Sequence, residues 1–480
     1  MTGGRLAARG RGTGLMAALA ALLLAGCATA TSASSAKQAG AVARRPAAAA
    51  AKVVTAASWP AYLDGPRHDS YAPAQQSITP ASAARLRLQW HAFTGQEFLA
   101  SPTIADGAVF IGSNTGWFYK LSPATGKVEY KRFLGAQPAG TCYSPRGIVA
   151  TATVAPGPGA GQGTVYVGAA NGYLYALDAA NLRTRWRSLM ARPSATVSSY
   201  YDWSSPTVAN GMVYVGVASV CERPQTRGGI IAYDQATGKK LAELYTVPRG
   251  QLGGGVWSSV AVGQNGDVYA STGSGPAGDR TLSLAMSILK LAPRTLRLIA
   301  SWQVPRGIDF GGSPVLFGPY VGACNKDGDF YALRQATMTL AWQQRIGVSY
   351  AGGNEAECNG APAYNGKDLF FAGTAVTIRG TAYRGSVQER TASSGRLIWR
   401  RGLSEGVTGS PTLDGARVLA AGTYDSGPAG EETYLVDAAT GRILRDLVSG
   451  LDFAQSVFAD GWLFTANASG VSAWAPHRAG

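Results

Sequence analysis

Residues 101–130 read SPTIADGAVFIGSNTGWFYKLSPATGKVEY, and this stretch decides the fold. It holds a Ser-Pro pair, a Gly-containing turn, a Val- and Tyr-rich strand, a second turn, another strand, and an Ala-Thr-Gly-Lys turn before a final strand. Four short strands joined by tight turns predict one antiparallel sheet. Such a sheet cannot bury both of its faces alone, so copies of it must stack on one another.

The same unit recurs along the chain. Its Ser-Pro opening returns three times, and one looser opening follows each of the four Ser-Pro copies. The openings are at Ser101, Gly147, Ser205, Ser258, Ser313, Ala361, Ser410 and Gln455. Only seven closing strands follow these eight openings, and the last unit stops after residues 470–476. The strand LRLQWHAF at residues 86–93 resembles the closing strands, so we expect the N-terminal part of the chain to complete the last unit.

The repeats predict an all-β fold, a single eight-bladed β-propeller of four-stranded antiparallel blades over residues 59–480. The composition agrees, since 63 glycines suit the many tight turns. Only 15% of the residues are charged and 9% are aromatic, which excludes a disordered chain and a coiled coil. The closing strands carry tryptophans that we expect to pack between neighbouring blades. These are Trp186, Trp302, Trp342 and Trp399.

The net charge of +15 comes from basic residues that are scattered along the chain. A nucleic-acid-binding surface usually has its basic residues clustered. We therefore interpret the charge as a solvated surface and predict no nucleic-acid partner.

The N-terminus predicts export. Arg5, Arg9 and Arg11 precede an apolar run at residues 15–24 that is too short to span a bilayer. The following Leu-Ala-Gly-Cys resembles a bacterial lipobox, which implies a signal peptide at residues 1–26 and a diacylated Cys27. The alternative is an ordinary secretory signal with a chance cysteine. Residues 27–58 contain no acidic residue and predict a flexible tether. We expect a lipid anchor on the extracytoplasmic face of the membrane.

Four further cysteines, Cys142, Cys221, Cys324 and Cys358, favour disulfides in an exported protein. Four cysteines allow three pairings. Cys142 and Cys358 precede inner strands, whereas Cys221 and Cys324 lie between second and third strands, and both connections open on the same face. This placement favours Cys142–Cys221 and Cys324–Cys358.

Other chemistries are disfavoured by what the sequence lacks. It has no Cys-x-x-Cys-His motif, so we expect no covalently attached haem. Its histidines are His68, His91 and His477, all near the ends, which argues against a Ser-His-Asp hydrolase or a histidine-ligated zinc site in the main body.

The repeat resembles the quinoprotein repeat of eight-bladed dehydrogenases that bind pyrroloquinoline quinone (PQQ). Residues 59–90, WPAYLDGPRHDSYAPAQQSITPASAARLRLQW, resemble the lead-in to that propeller. The resemblance covers about residues 59–476. It implies PQQ on the propeller axis, stacked on a tryptophan and contacted by basic groups, with a calcium ion and an aspartate general base. The same propeller also forms outer-membrane assembly lipoproteins, which bind protein partners and hold no cofactor.

The resemblance assigns cofactor contacts residue by residue. Arg146 matches the arginine that grips a PQQ carboxylate, and Trp257 matches the stacking floor. Ser219 and Lys326 match further contacts. Glu97 matches an early contact, although its spacing to the next proline differs by two residues.

The resemblance also assigns a metal site and a base. Glu222 matches a calcium ligand, and Asp279 matches the catalytic base beside the metal. Ser274 stands where the family has a calcium-binding asparagine, and Cys142 stands alone where the family often has a cysteine pair. Both departures from the family pattern argue against activity as a dehydrogenase.

Two functions follow from these observations. One is a membrane-anchored, PQQ-dependent alcohol dehydrogenase of the polyvinyl-alcohol or small-alcohol type with an external electron acceptor. The alternative is a non-catalytic lipoprotein scaffold that binds envelope proteins or polymers.

Overall fold

A computed structural model describes the molecule. The described residues are 58–93, 96–136, 147–157, 163–191, 200–201, 203–219, 226–275, 283–305, 308–348, 358–415, 417–423, 432–448 and 454–476. The predicted signal peptide, Cys27 and nearly all of the tether lie outside these residues. So do Cys142, Arg146, Cys221, Glu222 and Asp279.

The described residues form eight blades of four antiparallel strands each, as the repeats predict. Two blades gain a further short strand, one of which, Tyr71–Ala72, pairs parallel with Thr412–Asp414. We number the blades 1 to 8 along the chain, and each blade's strands run in order from the axis outward. Blade 1 is Thr103–Ala105, Ala108–Gly112, Trp117–Leu121 and Val128–Phe133, and blade 2 is Thr153–Ala155, Thr164–Gly168, Tyr173–Asp178 and Thr184–Leu189. Blade 3 is Thr207–Ala209, Met212–Ser219, Gly229–Asp234 and Lys240–Tyr245, and blade 4 is Ala261–Val262, Val268–Ser271, Ser287–Leu291 and Leu298–Gln303. Blade 5 is Val315–Phe317, Tyr320–Cys324, Asp329–Arg334 and Leu340–Arg345, and blade 6 is Ala363–Tyr364, Asp368–Gly373, Gly385–Thr391 and Leu397–Leu403. Blade 7 is Thr412–Asp414, Val418–Gly422, Glu432–Asp437 and Arg442–Val448.

Blade 8 closes the ring from both ends of the chain. Its strands Val457–Ala459, Trp462–Asn467 and Gly470–Pro476 come from the C-terminal side. The fourth strand, Leu86–Ala92, comes from the N-terminal side and pairs antiparallel with Gly470–Pro476. The predicted closure by an N-terminal strand is confirmed.

Few elements lie outside the blades. Tyr200–Tyr201 pairs with the second strand of blade 3, and a hairpin of Val376–Ile378 and Thr381–Tyr383 extends from blade 6. A 3-10 turn covers Tyr62–Asp64, and a short α-helix covers Pro80–Ala83. Among the described residues, no helix has the length and apolar content needed to cross a membrane.

Tryptophans of the fourth strands join neighbouring blades, as predicted. The indole N–H of Trp186 donates to the Gln235 carbonyl in the closing turn of blade 3 at 3.1 Å. Trp342 and Trp399 donate in the same way to closing turns of blades 6 and 7. Trp302 instead packs against Tyr331 of blade 5, with ring centroids 5.1 Å apart. Each tryptophan therefore fixes the position of the next blade.

Hydroxyl side chains join the blades at the axis. The backbone N–H of Thr151 donates to the Ser205 hydroxyl, and Ser205 N–H donates to the Ser259 hydroxyl, at 3.0 and 2.9 Å. We call the eight equivalent positions the hydroxyl ring. They are residues 101, 151, 205, 259, 313, 361, 410 and 455, of which 361 is Ala and 455 is Gln. Six bonds of 2.8–3.0 Å follow this pattern among the described residues.

Residues 59–72, which we call the inner segment, lie along the axis beside the first strands. Backbone hydrogen bonds join the inner segment to blades 1, 2, 4, 5, 6 and 7. The Leu63 N–H donates to the side chain of Gln455 in blade 8 at 3.2 Å. These hydrogen bonds join the inner segment to seven blades, and they give the ring a central brace that the repeats did not predict.

The antiparallel strand order gives the propeller two different faces. Turns between first and second strands, and between third and fourth strands, lie on one face, which we call the turn face. Connections between second and third strands, and between one blade and the next, lie on the other, which we call the mouth face. Trp59 pairs antiparallel with Ile104 of a first strand, so the chain enters the propeller from the turn face.

Candidate functional site

A cavity of about 60 Å³ lies on the axis at the mouth face. Its floor consists of hydroxyl-ring residues together with Tyr62 of the inner segment. Its walls are the residues two positions before the ring residues in each repeat: Leu99, Val149, Trp203, Trp257, Gly311, Asn359 and Thr408. One side of the cavity is therefore bulky and apolar, whereas the other is small and polar.

Trp257 reaches the cavity because its segment packs between blades 3 and 4. The Val256 N–H donates to the Val217 carbonyl at 3.0 Å, and the Gly254 N–H donates to the Ser274 carbonyl at 2.6 Å. Ser274 therefore supports the segment that carries Trp257. Ser219 ends the same strand as Val217 and is buried.

Lys326, the predicted contact to the quinone, lies next to Trp257, the predicted stacking floor. Its ammonium is 5.1 Å from the centroid of the Trp257 ring and 2.8 Å from the Asp309 carboxylate. The Lys326 N–H also donates to the Asp309 carbonyl at 3.0 Å. Because the Asp309 side chain is only 7% exposed, this ion pair is largely desolvated on the acidic side. The Lys326 ammonium thus lies between the Asp309 carboxylate and the aromatic ring of Trp257.

Asn359 adds an unsatisfied polar group to the cavity wall. Its Oδ1 is buried and has no hydrogen-bond partner among the described residues. An amide in this condition is available to a polar ligand. Its position is fixed by the preceding Cys358, which forms a disulfide with Cys324. The predicted Cys324–Cys358 pair is thus confirmed, whereas both cysteines of the other predicted pair lie outside the described residues.

Cys324 also orders the opposite edge of the cavity. Its carbonyl accepts the N–H groups of Gly311 and Gly312, both at 3.0 Å. Since Lys326 follows Cys324 by two residues, one disulfide fixes both Lys326 and Asn359 relative to the axis.

Glu97 is held in a different part of the site. Its carboxylate accepts a hydrogen bond from the Asn114 side chain, and its carbonyl accepts the Asn114 N–H at 3.2 Å. Glu97 lies two residues before the cavity residue Leu99, and no hydrogen bond or ion pair among the described residues joins it to Trp257 or Lys326.

Of the predicted metal ligands, only Ser274 lies within the described residues. Those residues contain no cluster of three or more His, Cys, Asp or Glu side chains arranged for a metal ion. The predicted calcium site formed by Glu222, Ser274 and Asp279 therefore stays a prediction.

Sequence reasoning missed Asp309, Asn359 and Trp203. Trp203 and Asn359 could have been found, because both occupy the repeat position of Trp257, two residues before a ring residue. Asp309 had no such signal, since it lies in the connection between blades 4 and 5 and meets Lys326 only in the folded ring.

Comparison with known proteins gives the same architecture. The family model PQQ_2, described as outer membrane protein assembly factor BamB, matches residues 74–344 and 326–448. A quinone-dependent alcohol dehydrogenase subunit of Gluconobacter oxydans is 29% identical over 203 residues, which is 40% of this chain and 25% of that protein. A quinohemoprotein alcohol dehydrogenase, ADH-IIG, of Pseudomonas putida is 30% identical over 188 residues, which is 37% of this chain and 24% of that protein. These matches span about a quarter of the length of those relatives.

Solved structures share the fold at low identity. The quinohemoprotein alcohol dehydrogenase of Comamonas testosteroni superposes with a TM-score of 0.68 at 16% identity, covering 87% of this chain and 80% of that one. BamB of Moraxella catarrhalis superposes with a TM-score of 0.54 at 15% identity, covering 82% of this chain and 99% of that one. At such identities the likeness establishes the fold alone.

Proposed function

Because the chain belongs to the PQQ_2 family of β-propellers, we propose that it is a quinoprotein that oxidises alcohols, with PQQ bound in the axial cavity. The observation that carries this proposal is the cluster of Trp257, Lys326 and Asp309 at the mouth face. The curated relatives, which are named as quinone-dependent alcohol dehydrogenases, support the same chemistry.

The residues at the cavity suit a planar, anionic cofactor. Trp257 offers an aromatic face, and Lys326 beside it offers a cation. The unpartnered amide oxygen of Asn359 can accept a hydrogen bond from a donor group of the ligand. Arg146 would add a second cation for a carboxylate. Glu222, Ser274 and Asp279 would hold a calcium ion. When bound, PQQ supplies the oxidant that takes two electrons from the alcohol.

Asp309 is our candidate for the general base. Its carboxylate is buried and lies 2.8 Å from the Lys326 ammonium, beside the Trp257 ring. An ionised carboxylate can accept the hydroxyl proton of an alcohol as the carbon is oxidised. Asp279, which the family resemblance assigns to this role, is the competing candidate.

The test is alcohol-dependent dye reduction by the full chain loaded with PQQ and calcium. If Asp309 is the base, Asp309→Asn lowers kcat by roughly 10²- to 10⁴-fold, whereas Glu129→Gln on an outer strand leaves it unchanged. A comparable loss in Asp279→Asn, with normal kcat in Asp309→Asn, would assign the base to Asp279. No dye reduction in the loaded wild-type chain would exclude the enzyme.

We further propose that the protein is exported and held to a membrane by acylated Cys27. Residues 1–480 contain no Cys-x-x-Cys-His motif, so electrons that leave this propeller would pass to a group outside these residues.

The alternative function is a non-catalytic scaffold for envelope proteins or polymers. It is favoured by the family model, which is described by BamB, and by the superposition on Moraxella catarrhalis BamB. If the protein is a scaffold, pull-downs from membranes should recover a stable partner. The Trp257→Ala variant should bind this partner as the wild-type chain does. Loss of the partner in Trp257→Ala, or PQQ binding with no partner, would contradict it.

A further inference from the structure

The turn face carries one basic side chain at the same position of nearly every closing turn. In blade 1, the Ser122 N–H donates to the Lys127 carbonyl across this turn, and in blade 3 the Asp234 N–H donates to the Lys239 carbonyl, both at 2.9 Å. Six of the seven closing turns between third and fourth strands have Lys or Arg here, and the blade 5 turn has Thr339. The six are Lys127, Arg183, Lys239, Arg297, Arg396 and Arg442.

These six side chains, which we call the basic ring, are exposed. Among the described residues, none of the six has a carboxylate within ion-pair distance. They differ in this from Arg185 and Lys240, which lie near the same turns but pair with Asp178 and Glu243. The basic ring is therefore a set of unneutralised cations.

Acidic side chains in the same turns are turned inward by hydrogen bonds. The Asp178 carboxylate accepts the Ala180 N–H at 2.8 Å, and Asp234 accepts the N–H and hydroxyl of Thr237 at 2.9 and 2.8 Å. Hydrogen bonds to Thr237 lower the pKa of Asp234, so it stays ionised but is directed at its own turn. The acids stabilise the turns, whereas the basic side chains face solvent.

The chain enters the propeller through this same face. Trp59 runs antiparallel to the first strand of blade 1, so residue 58 lies on the turn-face side. The 30 residues before it, 28–57, include Lys37, Arg44, Arg45 and Lys52 and no acidic residue. The sequence just before the propeller is therefore basic, as is the face through which the chain enters.

We propose that the turn face docks on an anionic phospholipid bilayer through the basic ring. A ring of side chains at equivalent turns lies in one plane, which suits a flat anionic surface. Lys and Arg near such a surface bind its phosphate groups additively. A basic patch is also the kind of second contact that makes a single lipid anchor stable. Docking in this way directs the mouth face and its cavity away from the bilayer, whatever the cavity binds.

The experiment is co-sedimentation of the full chain, carrying Cys27→Ser to remove acylation, with vesicles of phosphatidylcholine alone or with 30% phosphatidylglycerol. The triple variant K127Q/R183Q/K239Q should partition at least about tenfold less onto the anionic vesicles, because each basic residue contributes roughly fivefold. The second triple variant R297Q/R396Q/R442Q should show the same loss. The difference should disappear at high salt.

The matched control is K131Q/R187Q/R249Q, which removes the same charge from outer strands and the mouth face. The control should partition like the parent chain. Equal losses in the control, or equal binding to neutral and anionic vesicles by the parent, would overturn the proposal. Binding of the parent to soluble polyphosphate without binding to anionic vesicles would assign the basic ring to a soluble polyanion and would overturn it as well.

Discussion

Gly126→Ala tests the closure of the ring in a quantitative way. Gly126 lies in the closing turn of blade 1 with φ +68°, and the indole of Trp90 from blade 8 covers it. A Cβ at Gly126 would lie 2.5 Å from Cε3 of Trp90. The left-handed backbone costs about 1–2 kcal/mol for a residue with a Cβ. Displacing a buried ring adds about 1–3 kcal/mol. The total loss of unfolding free energy is then about 2–5 kcal/mol.

Gly107→Ala is the matched control in the same blade. Gly107 has φ +71°, but no atom lies within 4 Å of a Cβ placed there. Gly107→Ala should therefore lower the unfolding free energy only by the cost of the left-handed backbone, about 1–2 kcal/mol. Equilibrium denaturation by urea, read by tryptophan fluorescence, measures both variants. Equal losses in Gly126→Ala and Gly107→Ala would refute the packing of Trp90 as the contact that closes the ring.

The remaining predictions concern the axis and the disulfide. Burial raises the pKa of Asp69 to about 6 and lowers the pKa of His68 to about 4. Asp69 therefore destabilises the fold as pH rises from 4 through 6, whereas His68 destabilises it as pH falls from 6.5 to 4. Unfolding curves across this range should show that Asp69→Asn and His68→Gln change the pH slope in opposite directions, and slopes that change in the same direction would contradict this assignment. Cys324→Ser with Cys358→Ser should lower the unfolding free energy by roughly 2–4 kcal/mol in the same urea assay, and an unchanged midpoint would contradict it. Ala361→Ser supplies a missing hydroxyl of the hydroxyl ring and should raise stability by about 0.5–1.5 kcal/mol, and a loss of stability would contradict it.

The repeated blades could be predicted from the sequence because each blade repeats one local pattern. Turn and strand residues recur from copy to copy, closing tryptophans recur in five of the eight blades, and the shared blade 8 followed from an unmatched closing strand. The inner segment could not be predicted in this way. It has no repeat, and Leu63, Asp64, His68 and Ser70 adopt positive φ values that only the surrounding first strands impose.

The candidate site was predicted where the resemblance had a motif around it. Trp257 and Lys326 lie in recognisable repeat positions, and the structure brings them together. Asp309 lies in no recognisable motif. Its place in the site depends on the ion pair with Lys326, which joins two different connections of the ring. The basic ring was also hidden, since its members are more than 40 residues apart in the sequence and share a face only through the propeller geometry.

Titration of the full chain with PQQ, with and without calcium, tests whether the axial cavity binds this cofactor. Absorbance and thermal shift report binding in the same samples. We expect saturable one-to-one binding and a raised unfolding temperature. Binding should be at least tenfold weaker in Trp257→Ala and unchanged in Trp399→Phe, because Trp399 lies on an outer strand. No binding by the wild-type chain, or equal binding by Trp257→Ala, would contradict the assignment of the axial cavity as the PQQ site.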